Sequence, residues 1–217
     1  MGHMIEQIAL SRGHEIVARI DADDTFELHN ADVAIEFTTP ATAEENIRKA
    51  WAQGVPVVCG TTGWKPEKLR DESLEFREVE SGKLIVEKST QKPMLVWKSN
   101  FSVGVNIFFD LNKQLAAAMA KQPQYSPSIK EIHHIHKLDK PSGTAKTLCE
   151  QIHNAQCTIH NYDVPIESIR EGEVPGTHEV TWDSEEDTIV ITHIAKGRRG
   201  FALGAVLAAE EILKGER

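Results

Sequence analysis

Cysteine is scarce in this chain. Cys59, Cys149 and Cys157 are odd in number and form no CxxC pair, which argues against a disulfide framework or a zinc knuckle and points to reduced thiols. Positive charge is also short: 24 Lys and Arg stand against 33 Asp and Glu, a net charge of −9. Without a basic surface to replace phosphate counterions, no nucleic-acid partner is expected. No run of about 18 apolar residues occurs and no charged-then-apolar leader opens the sequence, so no membrane partner is expected and a cytoplasmic location is. Repeats and low-complexity tracts are missing too. What remains is 217 residues, enough for one large domain or two small ones with well-buried cores.

Hydrophobic spacing organises the first half. Met4, Ile5, Ile8 and Ala9 predict a helix over Met4–Leu10 that Gly13 closes, followed by a strand at Glu15–Ile20 ending in Asp21. Val33–Phe37 predicts a strand, Thr42–Gln53 a helix, and Val55–Cys59 a buried strand with Gly60-Thr61-Thr62-Gly63 at its end. Strands alternating with helices predict a doubly wound parallel sheet, in which ligands sit beyond the carboxyl ends of the strands. An acid such as Asp21 after a strand is usually a turn residue, but in a dinucleotide-binding unit it can hold a ribose hydroxyl pair. Lys65–Val79 predicts an amphipathic helix, Lys83–Val86 and Leu95–Trp97 two strands, and Val103–Lys121 a helix that opens a second structural unit. Short strands follow at Ile159–Ile169, Val174–Thr181 and Ile189–Ile194, with Asp183–Asp187 as a charged turn, and a last helix at Phe201–Leu213 behind the basic Lys196–Gly200.

Chemistry concentrates in Glu131-Ile132-His133-His134-Ile135-His136-Lys137, which leads through Leu138-Asp139-Lys140 to Pro141-Ser142-Gly143-Thr144-Ala145-Lys146. As an extended strand, this stretch puts His133, Ile135 and Lys137 on one face and His134 and His136 on the other. Pro141-Ser142-Gly143-Thr144 then opens a helix, with Ser142 or Thr144 as its cap. Unpaired N–H groups at a helix start attract an anion. Imidazoles, an amine and free amides thus converge as recognition of a small carboxylated substrate requires. Taken alone, each part has a plainer reading: surface or core histidines, an ordinary turn and cap, or a zinc site. Zinc is set aside at this point, with no metal expected, because no HExxH helix or cysteine pair completes a site and Lys137 would place a positive charge beside the ion.

Glu131 to Ala145 resembles the signature E-x-H-H-x-x-K-x-D-x-P-S-G-T-A of the dihydrodipicolinate reductase family at every fixed position. Ser99-Asn100-Phe101-Ser102-Val103-Gly104-Val105-Asn106, Gly60-Thr61-Thr62-Gly63 and Phe201-Ala202-Leu203-Gly204-Ala205 resemble three further family blocks, in family order. The resemblance implies a Rossmann-like dinucleotide-binding domain (residues 1–102 and 200–217) and an inserted α+β substrate and oligomerisation domain (103–199) built on an open mixed sheet. It implies His133 and Lys137 as proton donors, with His134, Ser142, Gly143 and Thr144 holding the substrate carboxylates, joined by Arg198 or Arg199. Gly2, Asp21, Gly60, Thr61, Thr62, Ser99, Asn100 and Phe101 would bind NADH or NADPH. The implied reaction is NAD(P)H-dependent reduction of a dicarboxylate ring in lysine and diaminopimelate biosynthesis, by a homotetramer. Where the family often follows its ribose acid with an Arg for the phosphate of NADP, Ala22 stands here, which leans toward NADH, with Arg19 as another group within reach of that phosphate.

The departure is at the start. The family opens with a strand and a G-x-x-G-x-M-G turn, whereas Met1-Gly2-His3-Met4-Ile5 matches only the final M-G and the helix behind it. The first strand and earlier glycines are missing from this sequence, and the expectation is an incomplete N-terminus. The alternative is a truncated, non-catalytic nucleotide-binding or assembly subunit; a hydrolase built on the histidines is a third reading.

Overall fold

The computed structural model describes residues 1–69, 95–155 and 164–214 with their side chains, and 74–79, 83–88 and 156 by backbone. The chain divides into two compact units, Met1–Val103 with Arg199–Arg217, and Gly104–Arg198.

In the first unit α1 (Gly2–Ser11) turns Ile5, Ile8 and Ala9 onto Ala202 and Val206 of α5 (Arg199–Lys214). Arg12, just past α1, donates to both carboxylate oxygens of Glu210 at 2.6 and 2.8 Å, and His14 approaches at 2.9 Å. These bonds hold the Glu210 carboxyl down to about 2. Strands β1 (Ala34–Glu36), β2 (Val57–Cys59) and β5 (Leu95–Lys98) pair in parallel. Strands β4 (Lys83–Lys88) and β3 (Leu74–Val79) continue the sheet antiparallel, giving the order β1-β2-β5-β4-β3. Helix α2 (Ala43–Ala52) carries Glu44 and Glu45 in its first turn and Lys49 in its last, matching the helix dipole. Its apolar residues Ile47 and Ala50 pack with Leu28, Val57 and Leu95. On the other side the small residues of α5, Ala205, Ala208 and Ala209, meet Val58, Val96 and Phe101.

Two expectations fail in this unit. Glu15–Ile20 forms no ladder: β1 is the edge of its sheet, and among the described residues no strand lies outside it to pair with. The segment is held instead by side chains, with Ile16 against the α1 cluster, Ile20 beside the Leu28 cluster, and Arg19 on Glu6. Lys65–Val79 is not one helix. A single 3-10 turn covers Pro66–Leu69, and Leu74–Val79 is β3, because a hairpin with β4 satisfies its backbone.

The second unit is helix on sheet. Helix α3 (Val103–Met119) reaches into it after its first residue, and α4 (Gly143–Gln156) follows strand β6 (Ser126–His133). Strands β7 (Ile166–Arg170), β8 (Thr177–Asp183) and β9 (Thr188–Ile194) complete a mixed sheet of order β7-β6-β8-β9, with β7 parallel to β6 and the rest antiparallel. Part of the strand expected over Ile159–Ile169 lies outside the described residues; the ladder runs from Ile166. Alternation on β6 and β8 buries Ile129, Val180 and Trp182 against Phe108, Phe109, Leu148 and Ile152 of the helices. Ser184 and Asp187 close the β8–β9 turn. One expectation shifts: β6 stops at His133, and Lys137 lies beyond a turn in which its N–H bonds to the His134 carbonyl at 3.1 Å. Ladder pairing with Arg170 ends at His133; one further bond, from the Ile135 N–H to the Gly172 carbonyl at 3.1 Å, anchors the chain as it turns.

Candidate active site

The second unit's site is built where β6, β7 and β8 meet the start of α4. Period two carries the buried face of β6 through Ile129 to Glu131 and His133, and register sets His178 opposite Glu131 and Arg170 opposite His133. Glu131 is fully buried, yet every interaction around it favours the anion. Its carboxylate accepts the Ser142 N–H at 3.1 and 3.2 Å and Arg170 Nη2 at 3.3 Å. Burial alone would raise its proton affinity, but bonds from Ser142 and Ser168 and the neighbouring His133 bring it below the usual carboxylate range. His133, 7% exposed, turns Nδ1 toward Glu131 Oε2 at 3.5 Å, too long for a good hydrogen bond, and no other partner among the described residues meets that nitrogen. His178 Nε2 lies 3.7 Å from the same oxygen and 3.2 Å from Ser142 Oγ, and the two rings meet edge to face at 4.9 Å.

Burial pushes both imidazoles toward the neutral form. His178 falls to about 4 through desolvation and its neighbour His133, and His133 moves down through desolvation and Lys137 against the pull of Glu131. Lys137 Nζ pairs with Asp139 Oδ1 at 2.7 Å, and Asp139, although burial resists it, is held ionised by that bond. Arg170 ties the loop down by donating to the carbonyls of Lys137 and Asp139 at 3.2 and 2.5 Å. Gly176 has φ +150°, and a Cβ there would approach His133 Nε2 to 3.1 Å, so glycine leaves the ring its place.

Helix α4 is capped by Ser142, whose Oγ accepts the Ala145 N–H at 3.2 Å. Ser142 is therefore committed to the protein: its N–H serves Glu131 and its hydroxyl serves the cap and His178. The amide of Gly143 leans to Asp139. Of the expected row of free amides, Thr144 keeps its N–H without a protein acceptor among the described residues. His134 is half-buried with its ring 6.0 Å from His136, which pairs with Glu173 at the surface.

In the first unit, the parallel pairing of β1, β2 and β5 brings their carboxyl ends together. Thr38, Gly60-Thr61-Thr62 and Ser99-Asn100-Phe101 thus share one edge. Thr61 is a hub: its hydroxyl accepts the Thr38 N–H at 2.9 Å, and its carbonyl takes the indole N–H groups of Trp64 and Trp97 at 2.8 and 2.9 Å. Gly204 lets α5 rest on this edge, since a Cβ there would stand 1.6 Å from the Phe101 carbonyl oxygen. Gly2 opens α1, which has no side-chain cap and no acid in its first turn. Asp21 is exposed and its carboxylate accepts the Ala22 N–H at 2.9 Å within a tight turn with Asp24.

Arg170, His178 and a role for Glu131 escaped the sequence reading. Glu131 had a signal, since it lies two residues before His133 and shares its face. His178 and Arg170 sit on other strands, and only register delivers them.

Two family models match, dihydrodipicolinate reductase, N-terminus, over residues 1–80 and dihydrodipicolinate reductase, C-terminus, over residues 104–217. Among curated relatives, the 4-hydroxy-tetrahydrodipicolinate reductase of Christiangramia forsetii is 43% identical over 97% of this chain and 87% of its own length. Those of Thermosipho africanus and Alkaliphilus metalliredigens are 33% and 30% identical, each over 98% of this chain and 87% and 89% of their own. A dipicolinate-bound dihydrodipicolinate reductase from Paenisporosarcina sp. TG-14 shares the fold at 18% identity, with TM-score 0.68 over 98% of this chain and 90% of that one. An aspartate semialdehyde dehydrogenase II from Vibrio cholerae shares it more loosely, at 9% identity and TM-score 0.51 over 99% and 95%. With both models matched and relatives of this identity spanning nearly its whole length, the chain belongs to the dihydrodipicolinate reductase family.

Proposed function

We infer that this chain catalyses the NAD(P)H-dependent reduction of a dihydrodipicolinate-type ring to tetrahydrodipicolinate, a step of lysine and diaminopimelate biosynthesis. The near full-length relatives named 4-hydroxy-tetrahydrodipicolinate reductase carry this reading. A non-catalytic assembly subunit has no comparable support.

The first unit has the features a dinucleotide needs. The α1 start is uncapped and a Cβ on Gly2 would meet nothing within 4 Å, which suits a pyrophosphate at the helix N-terminus. Asp21 would hold the ribose, and Gly60, Thr61, Thr62, Ser99, Asn100 and Phe101 would line the nicotinamide end. Bound NAD(P)H supplies the hydride. NADH is the preferred form: Ala22 offers no charge to a 2′-phosphate, and both Arg19 Nε and Nη2 are engaged by Glu6.

The second unit would bind the dicarboxylate and manage protons. One carboxylate takes the Thr144 amide at the α4 start, with Gly143 and His134 beside it. Two substrate charges near His133 favour its protonated form, offsetting the burial that keeps the free ring neutral. His133 then gives that proton to the reduced ring while the Lys137 ammonium, positioned by Asp139, steadies the developing negative charge. Arg170 holds the Lys137 loop by its carbonyls, and the Glu131 charge faces His133 across 3.5 Å. Self-assembly to a tetramer would use the open sheet face, where β9 exposes Val190 and Ile194.

Purified protein should oxidise NADH only when the dihydrodipicolinate-type substrate is supplied. His133→Ala and Lys137→Ala should each cut kcat by about 10²-fold or more with circular dichroism unchanged. Full turnover in either variant sinks the residue roles, and absence of turnover in the wild type sinks the function.

A further inference from the structure

We propose that Glu131, His133 and His178 form a transition-metal site whose occupation by Zn²⁺ switches the protein off. The three side chains are buried, and their donor atoms all lie within 4.8 Å of one another. They come from adjacent antiparallel strands, Glu131 directly opposite His178 and His133 two residues along the same face. That places two imidazoles and a carboxylate around one point, the donor set that open zinc sites use.

Both carboxylate oxygens share the Ser142 N–H, at 3.1 and 3.2 Å; Oε1 also takes Arg170 at 3.3 Å, while Oε2 faces His133 Nδ1 at 3.5 Å and His178 Nε2 at 3.7 Å. Ligands at zinc bond lengths in a tetrahedron stand about 3.3 Å apart, so these two separations close by a few tenths of an ångström. The third, between the two ring nitrogens, is at most 4.8 Å and has the furthest to close. His133 Nδ1 is sealed from solvent and has no hydrogen-bond partner among the described residues, although its side chain is more than nine-tenths buried. Such a nitrogen is costly unless something meets it. A metal on His178 Nε2 would replace that nitrogen's present contact with Ser142 Oγ at 3.2 Å, leaving the hydroxyl to the α4 cap.

Both objections that the sequence raised to zinc change in three dimensions. A third donor completes the set without HExxH or cysteine, because His178 arrives from β8. Lys137 does not face the site as a bare charge, since Asp139 pairs with it at 2.7 Å. The consequence for turnover rests on the reductase reading. A metal on Nδ1 occupies the lone pair of His133 and withdraws the ring from acid–base work, so zinc and protonation compete for one side chain.

Metal-free protein titrated with ZnCl₂ in a calorimeter should bind one equivalent per chain, released by EDTA, and CoCl₂ in its place should give the intense visible bands of a four- or five-coordinate ion. His178→Gln, which keeps a polar group toward Ser142, and Glu131→Gln should each weaken Zn²⁺ binding at least tenfold; His136→Gln, at the surface pair with Glu173, should leave it within twofold. Zinc-edge absorption on the wild type, which needs no variant to fold, should show two imidazoles in the first shell. Failure to bind Zn²⁺ at micromolar concentrations, fewer than two imidazoles, or equal binding in folded His178→Gln overturns the proposal. None of these readouts needs turnover, so a chain that binds zinc but reduces nothing refutes the reductase reading alone, and one that turns over without binding zinc refutes this one alone.

Discussion

Gly204→Ala sets two effects of opposite sign against each other, and the structure says which wins. Alanine is a better helix former than glycine by about 0.8–1.0 kcal/mol in a helix interior, and Gly204 lies within α5. Propensity alone therefore predicts a more stable protein. The added methyl, however, would sit 1.6 Å from the Phe101 carbonyl oxygen and 2.7 Å from its carbon. A comfortable carbon–oxygen contact is about 3.3 Å or more, so the helix and the segment after β5 must part by about 1.7 Å. Both sides are backbone, and Phe101 is 3% exposed and packed among Val58, Val96 and Ala205, so nothing can swing aside. Overpacking of this kind costs about 1–3 kcal/mol and at times more, and a gap at the remaining α5 contacts forfeits dispersion as well. The net expectation is a loss of about 2 kcal/mol, roughly 4–8 °C in Tm for a protein of this size. Urea and thermal unfolding followed by tryptophan fluorescence would read it, since Trp51, Trp64 and Trp97 all lie in the first unit. Gly200→Ala is the control, because on the same helix its Cβ would meet only Ser102 Oγ at an ordinary 3.6 Å. If Gly204→Ala proves as stable as the wild type or the control, the close approach of α5 is wrong.

Ser142→Ala removes the α4 cap and the hydroxyl beside His178; a loss of about 1–2 kcal/mol is expected in urea titration, and an unchanged midpoint would mean the cap is idle. Glu210→Gln tests the clamp between α1 and α5: a carboxyl held down to about 2 stabilises the fold above its unfolded value near 4.3, and that contribution is lost as pH falls toward 2. Acid titration of stability should therefore be shallower between about pH 4 and pH 2 in the variant, and identical curves would refute the clamp. Ala22→Arg should improve kcat/KM for NADPH relative to NADH by roughly tenfold, the size of one charge-assisted bond to a phosphate; no change in the ratio would remove the structural basis for an NADH preference.

Much of this protein was legible in order along the chain. Periodicity marked α2, α3 and α5 because each buries one face, and a buried face repeats every 3.6 residues whatever its partner, while β1 and β2 were marked by short apolar runs, β2 being buried on both sides. The Ser142-Gly143-Thr144 helix start was equally local, since a cap needs only the residues next to it. The failures lie where structure depends on a neighbour. Glu15–Ile20 has strand composition but no ladder, and Leu74–Val79 has a helix-compatible pattern yet pairs with β4. Local propensity is worth tenths of a kcal/mol per residue, and a hairpin's hydrogen bonds outweigh it. The site divides the same way. His133 and Lys137 stood out as residue types in a motif, whereas the charge around them is set by Glu131 on the shared face, Arg170 and His178 across strand register, and Asp139 on the lysine. Sequence alone singled out the candidate residue types and the local motif that groups them. Tertiary structure alone decided which of them touch and which are already engaged by the protein, because contact across strands follows from register, and register follows from where the buried faces meet.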